Sequence, residues 1–215
     1  MMNELTARLS ARMESPLPGL QAQLKMAGPL RTKAAESFSL DSSKARIGAV
    51  LIALYPDEMG TIRTVLMKRP DYDGTHSGQI SFPGGKVEDV DVDIVATALR
   101  EAEEEVNIKP SDVRVIGQLT ELYISPSNFL VHPILGILDK PPLLIPDQHE
   151  VQSIHLPELQ YLLRDDIISE KDIVLSSGYK LRTPYFEVDG HVVWGATAMI
   201  IAELKDLLKD IDLNS

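Results

Sequence analysis

The chain has 215 residues, of which 44% are hydrophobic and 25% are charged, a composition that excludes global disorder. Its formal net charge of −11 at pH 7 argues against broad binding to nucleic acid or to an anionic membrane, because both need a basic surface. Without a bilayer-length apolar run, a secretory signal or a cysteine, the sequence predicts a cytoplasmic protein with no membrane association and no disulfide or thiolate site.

The first predicted element is a short helical arm. Leu5, Leu9 and Met13 share one helix face, and the prolines that follow end the helix. We expect residues 1–40 to form a helical extension that packs on the domain, and residues 41–215 to form the domain itself. A role of this arm in a homodimer is left open.

Apolar runs and turn residues predict a mixture of strands and helices in the rest of the chain. The predicted strands are Ala45–Tyr55, Ile62–Met67, Val113–Ile124, Phe129–Leu138 and Tyr185–Trp194. The predicted helices are 93–106, His155–Leu163 and Ala196–Leu208, and 70–79 is a predicted loop. Because no regular βαβ repeat is visible, the pattern favours an α+β or mixed α/β fold over a doubly wound parallel sheet.

The predicted helix 93–106 carries an acidic cluster beside its apolar face. Glu101, Glu104 and Glu105 fall within roughly a 100° arc, so their carboxylates converge. Like charges four residues apart are mildly destabilising, and the last turns of a helix disfavour negative charge. Arg100 can neutralise one acid but not three. The alternative is a solvated acidic face, whereas a divalent cation such as Mg²⁺ would remove the conflict.

A Gly-Gly pair stands about fifteen residues before the acidic cluster, in the segment Phe82-Pro83-Gly84-Gly85-Lys86. Paired glycines let the backbone approach a ligand or a metal closely. Alone such a pair is more often a simple turn, but its place before this helix gives the interpretation as a ligand site more weight.

The segment from Gly85 through Arg100-Glu101-Ala102-Glu103-Glu104-Glu105 resembles the box of the Nudix hydrolase superfamily, Gly-x5-Glu-x7-Arg-Glu-U-x-Glu-Glu-x-Gly-U, where U is aliphatic. The span from Gly85 to Arg100 is one residue longer than the pattern, Asp91 stands for its first Glu, and Asn107 stands for its last Gly. The family implies an α/β/α sandwich on a mixed sheet, with a loop–helix–loop catalytic box. It also implies hydrolysis of a nucleoside diphosphate that is linked to another group.

The resemblance further implies a set of site residues. The expected ligands of Mg²⁺ or Mn²⁺ are the carboxylates of Glu101, Glu104 and Glu105 and the carbonyl of Gly85. Arg100 is expected to orient the carboxylates. The general base is left open among Glu101, Glu104 and Glu150, and Glu150 could also be a plain loop acid.

Residues upstream of the box resemble the additional signature of the coenzyme A pyrophosphatase branch. They are Val65-Leu66-Met67-Lys68-Arg69, followed by Gly78-Gln79-Ile80-Ser81-Phe82-Pro83-Gly84-Gly85, with Val193-Trp194-Gly195-Ala196-Thr197-Ala198 near the end. A second signature Arg falls at Gly74, and Pro70 replaces a Ser or Ala. The resemblance implies coenzyme A or acyl-CoA as the substrate and 3′,5′-ADP and (acyl-)4′-phosphopantetheine as the products.

Three basic residues, Arg69, His76 and Lys86, are the candidates for substrate binding, although Arg69 could be a solvated strand-end charge and His76 a loop cap. The aromatic residues Tyr72, Phe82 and Trp194 could stack on a base, and core packing is the other interpretation for Phe82 and Trp194. The expected partner is thus a small nucleotide. Alternative substrates are ADP-ribose, nucleotide sugars and nucleoside triphosphates. A non-catalytic nucleotide-sensing module is a further alternative, but it would be expected to lose box carboxylates, and all three remain.

Overall fold

A computed structural model describes residues 2–28, 44–70, 77–174, 178, 180–209 and 211. Its helices are α1 (Met2–Met13), α2 (Gly19–Leu24), α3 (Ile94–Val106), α4 (Leu159–Leu162) and α5 (Gly195–Leu208). Its first strands are β1 (Arg46–Pro56), β2 (Ile62–Thr64), β3 (Leu66–Lys68), β4 (Ile80–Ser81), β5 (Gly84–Lys86) and β6 (Arg114–Gln118). The later strands are β7 (Leu122–Ile124), β8 (Phe129–Ile137), β9 (Ser153–His155), β10 (Ile168–Val174), β11 (Lys180–Val188) and β12 (His191–Trp194).

A six-stranded mixed sheet is the centre of the fold. Its order is β2-β1-β8-β6, with β5 paired to β1 and β7 paired to β8. The two longest apolar strands, β1 and β8, run parallel side by side, and the other pairs are antiparallel. The described residues also form two three-stranded sheets, β4-β3-β9 and β10-β11-β12. The mixed α/β class predicted from the sequence is confirmed.

Helices cover both faces of the central sheet because β1 and β8 are apolar on both sides, as buried strands are. On one face, Leu51 and Ile134 pack with Ala98 and Ala102 of α3. On the other face, Ile52 and Leu135 belong to a larger core that includes residues of α1 and α5. This arrangement is the predicted α/β/α sandwich. No helix in the described ranges is long and apolar enough to span a membrane.

Two predicted elements differ from the structure. The predicted helix His155–Leu163 is helical only over Leu159–Leu162, because Ser153–His155 forms a strand against β3. The predicted strand Val113–Ile124 is two strands, β6 and β7, and residues 119–121 lie between them. The sequence analysis did not predict strand β10. Most of its residues are polar, and it is ordered by its antiparallel pairing with β11 rather than by an apolar pattern of its own.

The N-terminal arm contains the predicted helix, with Leu5 and Leu9 buried. A buried carboxylate on α5, Glu203, accepts hydrogen bonds from the Gly19 amide at 3.2 Å, the Thr120 amide at 3.1 Å and the Gln23 side chain at 2.9 Å. These bonds join the arm to the domain. The predicted boundary after residue 40 falls within 29–43, outside the described residues, and stays a prediction.

Replacing Glu203 with alanine is expected to lower the free energy of unfolding by about 2–4 kcal/mol, because one buried and two partly buried donors lose a charged acceptor. Urea unfolding at pH 7 measures the change. The matched control is Asp206→Asn on the same helix, which breaks only the exposed pair with Lys25 and should cost less than about 1 kcal/mol. Equal effects of the two substitutions would contradict this account of Glu203.

Candidate active site

The position of helix α3 in the site is set by the residues that cap its two ends. Asp93 caps the helix by accepting the Ala96 amide at 2.8 Å, and Asn107 ends it in the left-handed conformation with φ 62°. Asparagine tolerates that conformation better than most residues, which explains how it replaces the glycine of the family pattern. With Ala98 and Ala102 on the sheet, Glu101 and Glu105 project one turn apart beside strand β5.

Glu105 is a buried carboxylate, with 1% of its side chain exposed. Its Oε2 accepts the Gly84 amide at 2.7 Å, and its Oε1 has no hydrogen bond, only an ion pair with Arg69 at 3.2 Å. Burial raises the pKa of Glu105 to about 8, against the lowering effects of Arg69 and the Gly84 amide, and Glu101 and Glu150 raise it further. The close cation Arg69 therefore does not offset the effect of burial on Glu105.

Glu101 lies directly against the backbone of Gly85. A Cβ on Gly85 would stand 2.5 Å from the Cδ of Glu101, so only glycine leaves room for this carboxylate. Burial raises the pKa of Glu101, while Arg100 lowers it and Glu104 and Glu150 raise it. The Gly-Gly pair therefore serves the close approach that the sequence suggested.

Arg100 is held by a carboxylate that the sequence left without a role. The carboxylate of Asp91 accepts hydrogen bonds from Nε and Nη2 of Arg100, at 2.8 and 3.0 Å. It also accepts one from the Thr97 hydroxyl at 2.9 Å. The other terminal nitrogen of Arg100 contacts Glu101 at 3.0 Å and Glu104 at 2.9 Å. The pair is thus a bidentate bridge, in a loop one residue longer and with an acid one methylene shorter than in the family pattern.

Asp91→Asn is expected to lower the free energy of unfolding by about 2–3 kcal/mol at pH 7, because it breaks a largely buried bidentate pair. The guanidinium of Arg100 holds the pKa of Asp91 below its usual value near 3.8. The contribution is thus present above pH 3.8 and is lost as the pH falls below it. Urea unfolding at pH 7 and pH 3 tests this. Asp93→Asn is the control, since asparagine also caps helices; a cost as large as that of Asp91→Asn would contradict the assignment.

A loop brings a fourth acid to the site. The amides of Asp147 and Ile145 donate to the carbonyls of Glu105 and Val106 at 2.9 and 3.2 Å, so the loop is anchored on the last turn of α3. These bonds satisfy carbonyls that a helix end leaves without partners. The loop continues to His149 and Glu150, which line a cavity of about 360 Å³ together with Arg69 and Pro70.

The acidic groups of the site are candidate ligands of a divalent cation. Within the described ranges, no three carboxylate or imidazole groups stand close enough to enclose a metal as they are placed. The chemistry nevertheless fits: the buried Oε1 of Glu105 has no hydrogen bond, the charge of Glu150 raises the pKa of both Glu101 and Glu105, and Glu101 raises that of Glu105 further. Carboxylate oxygens are the ligands that Mg²⁺ and Mn²⁺ prefer.

The backbone carbonyl in the site differs from the expected one. The carbonyl oxygen of Gly85 points toward β1, where it lies 2.6 Å from the place of a Cβ on Gly48. The carbonyl oxygen of Gly84 instead accepts the Arg69 guanidinium at 2.8 Å, beside the carboxylate of Glu105. The geometry therefore favours Gly84 over Gly85 as the backbone ligand of a cation.

The predicted site residues are partly assembled. Glu101, Glu105, Arg100, Arg69 and Glu150 lie at one end of the central sheet, whereas Glu104 is exposed and reaches the site through Arg100. Lys86 is exposed, and its carbonyl accepts Arg100 at 3.1 Å. His76, Tyr72 and Gly74 lie outside the described residues. Phe82 is core, with 1% exposed.

Sequence reasoning missed the roles of Asp91 and Asp147. The position of Asp91 in the family pattern was a usable signal, since an acid is expected at that place. The sequence did not predict the hydrogen bond from the Asp147 amide to the end of α3, because that contact joins segments that are about forty residues apart.

Comparison with known proteins agrees with this geometry. Residues 45–174 match the NUDIX domain family. The chain is 37% identical over 167 residues to Nudix hydrolase 15, mitochondrial, of Arabidopsis thaliana, covering 75% of this chain and 58% of that protein. It is 37% identical over 118 residues to the peroxisomal coenzyme A diphosphatase NUDT7 of Mus musculus, covering 55% of this chain and 47% of that protein.

Among solved structures, a Nudix hydrolase from M. smegmatis, RenU, superimposes with a TM-score of 0.54 at 13% identity, covering 80% of this chain and 90% of that one. This likeness concerns the fold alone. A mixed sheet between helices, with the Gly-Gly strand facing the glutamates of α3, defines the class of protein. The chain belongs to the NUDIX domain family, as the resemblance predicted. It spans little more than half the length of the plant relative.

Proposed function

We propose that this protein is a metal-dependent pyrophosphohydrolase that splits the pyrophosphate bond of a nucleoside diphosphate derivative. The observation that carries the proposal is the placing of Glu101 and Glu105 against the Gly-Gly strand, where burial and mutual repulsion favour a cation. Membership of the NUDIX family supports it. A sensing module without catalysis is disfavoured, because all the box carboxylates are present.

The proposed roles follow from the contacts. The proposed ligands of Mg²⁺ or Mn²⁺ are the carboxylates of Glu101, Glu104 and Glu105 and the carbonyl of Gly84. The sequence pattern led us to expect the carbonyl of Gly85, but the role of Gly85 is instead to leave room for the Glu101 side chain. When bound, such a cation neutralises pyrophosphate oxygens and lowers the pKa of a water.

Side chains of the protein would orient the carboxylates, accept the proton of the attacking water and contact the substrate. Arg100 orients Glu101 and Glu104. Glu150, at the cavity, is proposed as the general base that accepts a proton from the attacking water, with Glu101 and Glu104 as the other candidates. Arg69, Lys86 and His76 are proposed to contact the anionic substrate, Arg69 from the wall of the cavity.

The proposed substrate is coenzyme A or acyl-CoA. Water and coenzyme A would yield 3′,5′-ADP and 4′-phosphopantetheine, with one P–O bond of the anhydride broken and one formed to the water oxygen. The support is the upstream signature and the similarity to the mouse coenzyme A diphosphatase.

The test is incubation of the full chain with coenzyme A and Mg²⁺ or Mn²⁺, beside ADP-ribose, a nucleotide sugar and a nucleoside triphosphate, with products resolved by chromatography. We expect 4′-phosphopantetheine from coenzyme A at a kcat/KM above that of the other substrates, and none with EDTA. Cleavage of ADP-ribose alone would overturn the coenzyme A proposal and retain the hydrolase. No cleavage of any substrate by a folded protein would overturn the hydrolase.

We further propose that the protein acts in the cytoplasm and that residues 1–40 are an extension of the 41–215 domain. The bonds of Glu203 to Gly19 and Gln23 support the second point. Fractionation of cells that express the chain tests the first. Size-exclusion chromatography with light scattering tests for the homodimer that the sequence left open.

A further inference from the structure

A buried hydroxyl on the small β4-β3-β9 sheet faces helix α3. It belongs to Ser81 of β4, and it has no hydrogen-bond partner among the described residues. The neighbours of Ser81 in the chain, Ile80 and Phe82, belong to the core on the α5 side of the molecule, so the Ser81 side chain points the other way. On that side Met67, which pairs with Ser81 across the strands, packs with residues of α3.

The side chain of Arg69 shares this face with Ser81. Arg69 follows Met67 by two residues, and its amide donates to the Gln79 carbonyl at 3.0 Å, which continues the pairing of β3 with β4. Arg69 is therefore a diagonal neighbour of Ser81, with about 7–8 Å between the two Cα atoms. The guanidinium of Arg69 donates to the carbonyl of Gly84, three residues beyond Ser81. To reach that carbonyl, the Arg69 side chain runs past Ser81.

The carboxylate of Glu105 lies at the end of the Arg69 side chain. Its Oε2 accepts the Gly84 amide, whereas its Oε1 is buried without a hydrogen bond in the described part of the chain. The Nη2 of Arg69 is 3.2 Å from this Oε1, but its hydrogen bond goes to the Gly84 carbonyl. A buried hydroxyl that can donate and a buried oxygen that can accept thus both stand beside Arg69, although buried polar groups nearly always have partners.

We propose that the Ser81 hydroxyl donates a hydrogen bond to Oε1 of Glu105 when a divalent cation is bound, so that Ser81 is a positioning residue of the metal site. The inference rests on the proposed function. A carboxylate oxygen has two lone pairs, so Oε1 can accept the hydroxyl and still face a cation. The hydroxyl is neutral, and it therefore orients Glu105 without competing with the cation for its charge. Groups that hydrogen-bond to metal ligands fix the orientation of those ligands.

Calorimetric titration of the full chain with Mn²⁺ tests the proposal. Ser81→Ala should weaken Mn²⁺ binding about tenfold, the usual size of the effect when a partner of a metal ligand is lost. Ser81→Cys keeps most of the side-chain volume but supplies only a weak donor, so it should lose a similar factor. The matched control is Ser127→Ala, which removes another buried hydroxyl that has no partner in the described ranges and should keep the wild-type affinity.

The stability of the metal-free protein separates positioning from a structural role. In EDTA, Ser81→Ala and Ser127→Ala each remove a buried hydroxyl without a partner, so both melting temperatures should stay within a few degrees of wild type. With Mn²⁺, the rise in melting temperature should be smaller for Ser81→Ala than for the wild type and for Ser127→Ala. If Ser81→Ala lowers the melting temperature in EDTA as much as in Mn²⁺, its role is structural and the proposal is overturned.

The remaining outcomes distinguish this proposal from the proposed function. With saturating Mn²⁺ and the substrate that the wild type cleaves fastest, Ser81→Ala should lower kcat about tenfold and leave KM within about twofold. If the wild type binds Mn²⁺ and cleaves, but Ser81→Ala or Ser81→Cys keeps the wild-type Mn²⁺ affinity, the hydroxyl has no such role and the hydrolase stands. If the folded wild type neither binds Mn²⁺ nor cleaves any of the substrates, the proposed function fails, and the role of Ser81 fails with it.

Discussion

Gly85→Ala is expected to lower kcat/KM by about 10²-fold or more while the protein stays folded. The added Cβ would stand 2.5 Å from the Cδ of Glu101, so that the carboxylate must leave its place. A displacement of about 1 Å in a reacting site is enough for a loss of this size. The backbone of Gly85 is outside the left-handed region, so strain of the main chain does not account for the loss. Initial rates with coenzyme A and Mg²⁺ measure it.

A double-mutant cycle with Glu101→Asp isolates the steric cause. The aspartate side chain is one methylene shorter and leaves room for a Cβ on residue 85. Each single substitution should impair turnover, and the double variant should be no worse than Glu101→Asp, because the contact is already gone. Losses that multiply would show that Gly85 acts independently of Glu101, and near-normal activity of Gly85→Ala would remove the close approach from the mechanism.

Most of the fold was predictable because its main elements are set by local pattern. The runs that became β1, β8 and α5 are long, apolar and bounded by turn residues. The failures were short or polar segments, such as β9, whose three residues are ordered by pairing with β3 rather than by their own propensity.

The candidate site was predictable where it lies on one element and less so where it depends on contacts. The spacing of Glu101 and Glu105 on a helix was enough to place them side by side. The direction of the Gly84 and Gly85 carbonyls was not, because it depends on which residue pairs with Ala49 of β1. The ion pair of Arg69 and Glu105 joins residues thirty-six positions apart, and only the packed sheet brings them together.

Glu105→Gln is expected to lower kcat by about 10³-fold, equivalent to about 4 kcal/mol of transition-state stabilisation. The amide oxygen can still accept the Gly84 amide, so the fold is retained, but the charge that faces the cation is lost. Mg²⁺ or Mn²⁺ should raise the melting temperature of the wild type and leave that of the variant almost unchanged. Differential scanning fluorimetry with a metal titration measures this. A full metal-induced shift in the variant would remove Glu105 from the ligand set.

In metal-free protein, Glu105→Gln should instead raise the free energy of unfolding relative to the wild type. Because burial raises the pKa of Glu105 to about 8, the folded chain keeps a proton that the unfolded chain releases near pH 4.5. The wild type therefore loses stability as the pH rises from 4.5 to 8, by at most about 1.4 kcal/mol per pH unit from this group. Glutamine has no such proton, so Glu105→Gln should gain stability relative to wild type across that window. Urea unfolding in EDTA at pH 5.5, 6.5 and 7.5 tests it: a difference that stays constant would mean that Glu105 is already ionised and satisfied by Arg69 alone.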